Sequence, residues 1–464
     1  MTKRNTQQNR PDRPAGDSSP ITHKLALAVA EGGALRSVLL ELWQRTRMDW
    51  GFVTDRLAIA FRTEKWLGSH ERRFVAETLY GMVRHLRRID LAIDRGRPTK
   101  RAPRDVERLL ALLILEGELS PSHAAKVVPD LDWSQIQGVD AAIAGERKTA
   151  ARIALAASLP DWLADRLVAD WGDEAEPLAH SLNARAPMTV RANTLVGDRA
   201  RVAAELASEG LTTHPGRWSE TALVIETRTN VFAAKAFRDG AFEVQDEGSQ
   251  LLAELALASS PRLVVDYCAG AGGKTLAIAA ALGNRGRIVA TDIDARKLEE
   301  LRRRARRARV SNTRAIAVDD RQLDALTGKA DVVFIDAPCS GIGALRRNPE
   351  ARWRLRNEDI AGFAAQQLAI VTAAKRLMAP HGRLIYATCS VLAAENDAVA
   401  AAILASQPDL ATVPLADVLG PQRAEQLGTR DAMVLTPHRH GTDGFYGHVF
   451  QRAAVPAPHA MEPR

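Results

Sequence analysis

The stretch RLVVDYCAGAGGKTLAIAAALGNRGRIVATD, residues 262–292, decides the fold of this chain. Two short apolar runs, Arg262–Asp266 and Arg287–Asp292, flank a glycine-rich turn and an alanine-rich helical stretch. Apolar runs too short for buried helices, joined through a helix, read as neighbouring strands of a parallel sheet covered on both faces. Working outward, the same period predicts strands at Thr313–Val318, Asp331–Asp336 and Gly382–Thr388 with helices between them. Residues 242–454 are therefore expected to form an α/β, Rossmann-like domain. Ligands of such sheets sit beyond the carboxyl ends of the strands, so the residues just after each strand are the ones to read.

The first strand runs into Asp266-Tyr267-Cys268-Ala269-Gly270-Ala271-Gly272-Gly273-Lys274-Thr275. A Walker A loop would need glycine five positions before Gly273, where Cys268 stands. A dinucleotide fingerprint begun at Gly270 would need its third glycine at Thr275. Two readings remain: a purely structural turn, or one that lets a cofactor such as S-adenosylmethionine approach the backbone at a helix N-terminus. On the second reading Cys268 to Lys274 line the cofactor. Asp292, closing the second strand about twenty residues on, would then take the ribose hydroxyls. Asp294 reads as the cap of the next helix. Asp319 or Asp320, after the third strand, could accept the adenine amino group or simply form a solvated turn.

Upstream, Phe74, Val75, Leu79, Val83, Leu86 and Ile89 recur at helical steps between Ser69, a candidate N-cap, and Arg95. A second apolar helix follows at Val106–Glu116. Residues 1–20 are polar and expected to be a disordered tail, 21–150 an all-helical domain, 151–241 a small α/β linker domain, and 455–464 a flexible tail. The linker carries the alternating run MTVRANTL at 188–195, with Arg191 and Asn193 on one face. Over the whole chain, 464 residues at 46% hydrophobic supply several packed cores and argue against wholesale disorder. No apolar run reaches the ~18–20 residues of a membrane span, and no secretory leader is expected, which points to the cytoplasm. Three cysteines without a Cys-x-x-Cys pair make neither a disulfide framework nor a zinc site, so no metal is expected. The net charge of +7 is a soft indication of an anionic partner.

Those three cysteines all fall at strand ends: Cys268, then Cys339 in Asp336-Ala337-Pro338-Cys339-Ser340-Gly341, then Cys389 in Tyr386-Ala387-Thr388-Cys389-Ser390. Each alone reads as a small apolar filler; together, at one rim, they read as chemistry. VQDEGSQ at 244–250, DAPCSG at 336–341, RRNPEARW at 346–353, ATCSV at 387–391, Glu395-Asn396 and TDGFY at 442–446 complete the pattern. It closely resembles the NOL1/NOP2/Sun family of RNA 5-methylcytosine methyltransferases, nearest its bacterial 16S ribosomal RNA (Sun) branch. The resemblance is strong over 242–452 and looser upstream, where ERRFVAETLYGMVRHLRRID at 71–90 is similar to a NusB-like RNA-binding domain. Two departures stand out. Gly270-Ala271 replaces the family's Ala-Pro, which loosens the turn entropically, and Asn348 replaces a histidine.

The resemblance implies a class I S-adenosylmethionine-dependent methyltransferase domain behind the NusB-like and linker domains. It assigns Cys389 as the nucleophile that adds to cytosine C6 and Cys339 to its release. Asp336 is the partner of N3, protonated if it is to donate, and lies beside the cofactor. DNA cytosine methyltransferases use the Pro-Cys cysteine instead, here Cys339. Arg346, Arg347 and Arg352 follow the Pro-Cys loop and are the candidate RNA contacts. Arg302 to Arg309 read mainly as a solvated helix back. Ribosomal RNA is the expected substrate, with transfer RNA open and no obligate protein partner implied. The reading from another class is an RNA-binding assembly factor on an idle methyltransferase fold.

Overall fold

The computed structural model describes residues 20–98, 101–226 and 230–453. The expected tails at 1–20 and 455–464 lie outside them, apart from Pro20, which opens a helix. Two compact units divide the chain. One contains the residues up to Arg185 together with Leu345–Asn357; the other contains Ala186–Ala344 and the residues from Glu358 onward.

The first unit is all-helical around one apolar core that includes Trp43, Leu79, Met82, Ile89 and Ile93. The single helix expected over Ser69–Arg95 is two, Ser69–Arg84 and Leu86–Gly96, parted at His85, whose backbone leaves the helical region (φ −111°, ψ 17°). Gly68 rather than Ser69 occupies the N-cap position. The second expected helix runs Asp105–Leu115. The boundary of this compact unit at 185/186 follows from packing. The helices Thr149–Ala156, Asp161–Trp171 and Ala175–Asn183 bury Ile153, Leu163, Leu167, Leu178 and Leu182 almost completely within this unit.

The second unit holds two sheets. The smaller has strands β1 (Met188–Ala192), β2 (Thr213–Pro215), β3 (Ala222–Ile225) and β4 (Phe242–Val244), antiparallel in the order β2-β3-β1-β4. Arg191 faces Glu243 across the β1–β4 pair. The larger sheet has β5 (Leu263–Asp266), β6 (Arg287–Asp292), β7 (Thr313–Ala317), β8 (Ala330–Asp336), β9 (Met378–Thr388), β10 (Leu410–Thr412), β11 (Ala432–Leu435) and β12 (Phe445–Arg452). Its order is β10-β12-β9-β8-β5-β6-β7, with β11 also paired to β12. The five strands read from sequence are the parallel ones. The β10–β12 hydrogen bonds and those of β12 to β9 and β11 are antiparallel, so the sheet is mixed. Val264, Ile288 and Phe334 are buried on one face of the sheet and Val265, Val289 and Val333 on the other, which is why these segments carry unbroken apolar runs. The order reverses beside β5: the chain proceeds to β6 and β7 on one side and to β8 and β9 on the other. That switch point places the loops after β5 and β8 together.

Candidate active site at the strand ends

The glycine turn after β5 is built for close approach. Gly272 has φ 85°, and a Cβ there would lie 2.6 Å from Leu301. Gly270 has φ 54°, and no atom lies within 4 Å of where its Cβ would be, so its exposed side opens onto free space. The helix Gly273–Ala281 starts immediately after, aiming its first N–H groups at that space. Asp292 is 9% exposed; its Oδ2 accepts the Gly270 N–H (2.9 Å) and its Oδ1 the Asp294 N–H (2.8 Å). Asp292 thus ties β6 to the turn and retains lone pairs for a hydroxyl. Beside it Ile293 is 85% exposed, an apolar surface that sequence reading missed. Open backbone, a helix N-terminus, a carboxylate and an exposed apolar side chain together fit an adenosyl cofactor. Asp319 is exposed, whereas Asp320 caps the helix Arg321–Asp324 through the Gln322 N–H.

Beneath the turn Asp266 is wholly buried, and its Oδ2 accepts the Thr275 hydroxyl at 2.5 Å. Burial pushes its carboxyl up to about 7 from 3.8, Thr275 opposing and Asp336 adding to the shift. A raised carboxyl binds protons in the folded state that the unfolded chain has released, so its contribution to stability falls as pH rises from about 4 to about 7. Asp266→Asn, which preserves the acceptor for Thr275, is expected to flatten that slope. Its thermal midpoint should exceed the parent's at pH 8 and not at pH 4; an equal pH dependence in both proteins would refute this.

The loops after β8 and β9 bring two of the cysteines together. Cys339 Sγ and Cys389 Sγ are 3.3 Å apart, and both are free thiols. The Cys339 thiol is pushed well up, first by its hydrogen bond to Cys389 and then by burial, which favours its protonated form. Cys268 does not join them. It is half-buried against the apolar core, and burial raises its thiol strongly, which makes it a wall of the turn. Lys274 Nζ meets Asp336 Oδ2 at 2.7 Å. Burial is the strongest single influence on Lys274 and opposes its charge, but the field and hydrogen bond of Asp336, with Cys389 and Asp266 adding, raise its ammonium on balance. The Lys274 ammonium thus faces the Asp336 oxygen.

A buried carboxylate that sequence reading quoted without a role aligns the two cysteine loops. Glu395 is fully buried; its Oε1 accepts the Ser340 N–H (2.8 Å), and its Oε2 accepts both the Ser340 hydroxyl (2.5 Å) and the Ser390 hydroxyl (2.7 Å). It clamps the residue after each cysteine to the other. Gln367 Nε2 donates to Glu395 and to the Pro338 carbonyl, and the Tyr386 hydroxyl bonds Gln367 and the Glu395 carbonyl. Asn396 accepts from the Thr388 hydroxyl and donates to the Ser390 carbonyl. The Glu395-Asn396 pair was visible as a motif; Gln367 and Tyr386 carried no local signal.

Of the three arginines expected to contact RNA, Arg352 is enclosed by the fold. Leu345–Asn357 belongs to the helical unit, and Arg352 is 0% exposed there. Its Nη1 donates to the carbonyls of Ala157 (2.8 Å) and Ser158 (3.3 Å) and to Asn183 Oδ1 (2.8 Å). Such a guanidinium is structural. Arg346 is 6% exposed, its carbonyl accepting from Arg84, and Arg347 is half-buried. The helix Ala295–Arg307 is not merely solvated: Arg304 and Arg307 both pair with Glu243. A cavity of 440 Å³ lined by Arg191, Thr221, Glu254 and Arg423 contains none of the strand-end residues. Among the described residues no cluster of His, Cys, Asp or Glu could hold a metal ion, and no helix is long and apolar enough to cross a membrane.

Comparison with known proteins agrees with this geometry. Residues 254–451 match the family described as 16S rRNA methyltransferase RsmB/F, and residues 159–232 match its ferredoxin-like domain. The chain is 31% identical to the ribosomal RNA small subunit methyltransferase B of Xanthomonas campestris, over 75% of this chain and 83% of that one. The solved structure of PH0851 superposes with a TM-score of 0.72 at 25% identity, covering 94% of this chain and 99% of that one. NSun6 from Pyrococcus horikoshii, solved with SFG, shares the fold at a TM-score of 0.55 and 20% identity, over 64% of this chain and 99% of that one.

Proposed function

The chain belongs to the RsmB/F family of ribosomal RNA small subunit methyltransferases, and from that premise we propose that it methylates C5 of a cytosine in ribosomal RNA, with S-adenosylmethionine as donor, through a covalent cysteine adduct. The observation that carries the reading is the pair of free sulfurs 3.3 Å apart on adjacent strand ends, next to the Lys274–Asp336 pair. S-adenosylmethionine supplies an electrophilic methyl group when bound. Residues 268–274 and Asp292 would hold it, with Ile293 against its base and Asp319 in reach of the amino group.

C5 of cytosine is a weak nucleophile until a group adds at C6. Cys389 Sγ forms that bond, and the ring electrons shift so that C5 takes the methyl group. The C5 proton is then taken, the C6–S bond breaks with its electron pair returning to Cys389 Sγ, and the C5–C6 double bond is restored. Cys339, in contact with Cys389, passes its proton to the departing sulfur and takes the C5 proton in its place. The Lys274–Asp336 pair offers a donor for N3 and an acceptor for the exocyclic amine, a division of roles that needs no protonated Asp336. Glu395 holds the sulfurs in register.

Bisulfite sequencing of ribosomal RNA tests the reading. A strain lacking the gene is expected to lose one C5 mark and to regain it from the intact gene but not from the Cys389→Ala form. An unchanged set of marks, or methyl transfer to RNA at any atom but cytosine C5, refutes it.

A further inference from the structure

The glycine turn is held from outside its own domain layer. Ala271 O accepts from Arg304 Nη1 at 2.8 Å, and Arg304 is itself gripped by Glu243 Oε2 at 3.0 Å. Glu243 is 3% exposed and lies on β4 of the small sheet, with Arg307 on its other oxygen. Two residues along the turn, Gly273 O accepts from Gln245 Nε2 at 3.3 Å. Gln245 Oε1 in turn accepts from Nε of Arg191, a β1 residue 4% exposed, at 2.8 Å. Arg191 and Glu243 are direct partners across β1 and β4. One cross-strand pair of the small sheet therefore ends in two hydrogen bonds to carbonyls of the turn.

We propose that Arg191 and Glu243 of the small sheet are positioning residues for the cofactor, acting through Gln245 and Arg304 to hold the turn in its binding conformation. This rests on the reading that S-adenosylmethionine occupies that turn. The physical need is plain: Gly270 and Gly272 both adopt left-handed conformations, and glycines give up the most conformational freedom when fixed. Ala271 between them has no ring to restrict it. A buried, charge-assisted bond to its carbonyl supplies the restraint that the backbone lacks, and Glu243 prevents the guanidinium from swinging to solvent. The two relays share the small sheet, so its seating and the shape of the turn are coupled.

Calorimetric titration of S-adenosylmethionine into the full-length protein without RNA tests this. Arg304→Met is expected to weaken binding by about tenfold, the loss of one charge-assisted hydrogen bond. In steady-state assays the effect falls on KM for the cofactor more than on kcat. Ala271→Pro in the Arg304→Met background is expected to restore affinity to within about threefold, because proline fixes φ by itself and, among the described residues, the Ala271 N–H has no backbone acceptor to lose. Glu243→Gln combined with Arg304→Met should cost no more than Arg304→Met alone, since both cut one relay. Affinity of folded Arg304→Met within about twofold of the parent overturns the proposal, as does loss without rescue by proline. Should Arg304→Met fail to fold, Arg304→Lys is read by the same criteria, because one ammonium cannot span both Glu243 and the carbonyl. Full cofactor affinity in Asp292→Ala would instead overturn the cofactor reading itself, and this inference with it.

Discussion

Cys389→Ala is expected to lose methyl transfer to RNA by at least about a thousandfold, and Cys339→Ala to accumulate a covalent protein–RNA adduct. The asymmetry follows from the roles proposed for the two sulfurs, which lie 3.3 Å apart. Cys389 is the one proposed to add to C6, while its hydrogen bond to Cys389 and burial push the Cys339 thiol up and favour its protonated form. Once Cys339 is removed, addition and methylation can proceed while the step that expels the enzyme slows. A slow-migrating, nuclease-sensitive band on a denaturing gel reads this directly. The reverse result, an adduct with Cys389→Ala and simple inactivity with Cys339→Ala, would assign the nucleophile to the Pro-Cys cysteine. Neither variant should shift the unfolding midpoint much, since both thiols are only partly buried.

Arg352→Ala is expected to destabilise the helical unit by about 2–4 kcal/mol, the scale of buried carbonyls left without a donor together with the cavity left behind. Burial brings the Arg352 guanidinium down to about 9, and its acceptors are carbonyls and an amide oxygen, with no bonded carboxylate. Its Nε and Nη2 are buried without partners, so the side chain is already costly to keep charged. Truncation nevertheless leaves the Ala157 and Ser158 carbonyls unsatisfied and opens a cavity where a large side chain stood. Seven of the eight tryptophans lie in this unit, and Trp353 packs on Trp50 at 5.8 Å, so fluorescence during urea unfolding reports on it selectively. A phosphate-contacting arginine would behave differently: unfolding would be unchanged, and the salt dependence of RNA binding would fall by about one counterion. That outcome would restore the sequence-based reading of Arg352.

The two predictions mark the limit of what could be read along the chain. Strands β5 to β9 were legible because each is an apolar run with a turn at its end, and a strand is decided within five or six residues. Gly270, Gly272, Asp292, Cys339 and Cys389 were legible for the same reason: each has a position defined relative to a strand end. Residues 345–357 were not. The run LRRNPEARWRLRN has the composition of a charged surface loop, yet its Arg352 is buried and bonded to Asn183, 169 residues earlier. The antiparallel β12 was missed because it pairs with β9 across more than fifty residues of intervening chain. Glu395 gathers Ser340, Gln367 and Ser390 from three separate elements, and no spacing in the sequence encodes that convergence.

By itself, then, the sequence determined the parallel half of the sheet, the glycine turn at the end of β5, and the placing of three cysteines at strand ends. Only the tertiary structure decided that the two cysteines paired by the resemblance touch, which carboxylate aligns them, and that Arg352 is enclosed by the fold. The reason is physical. Hydrophobic period and turn chemistry act between neighbours in the chain, whereas burial of a charge and the sharing of a proton depend on groups the fold brings from far away.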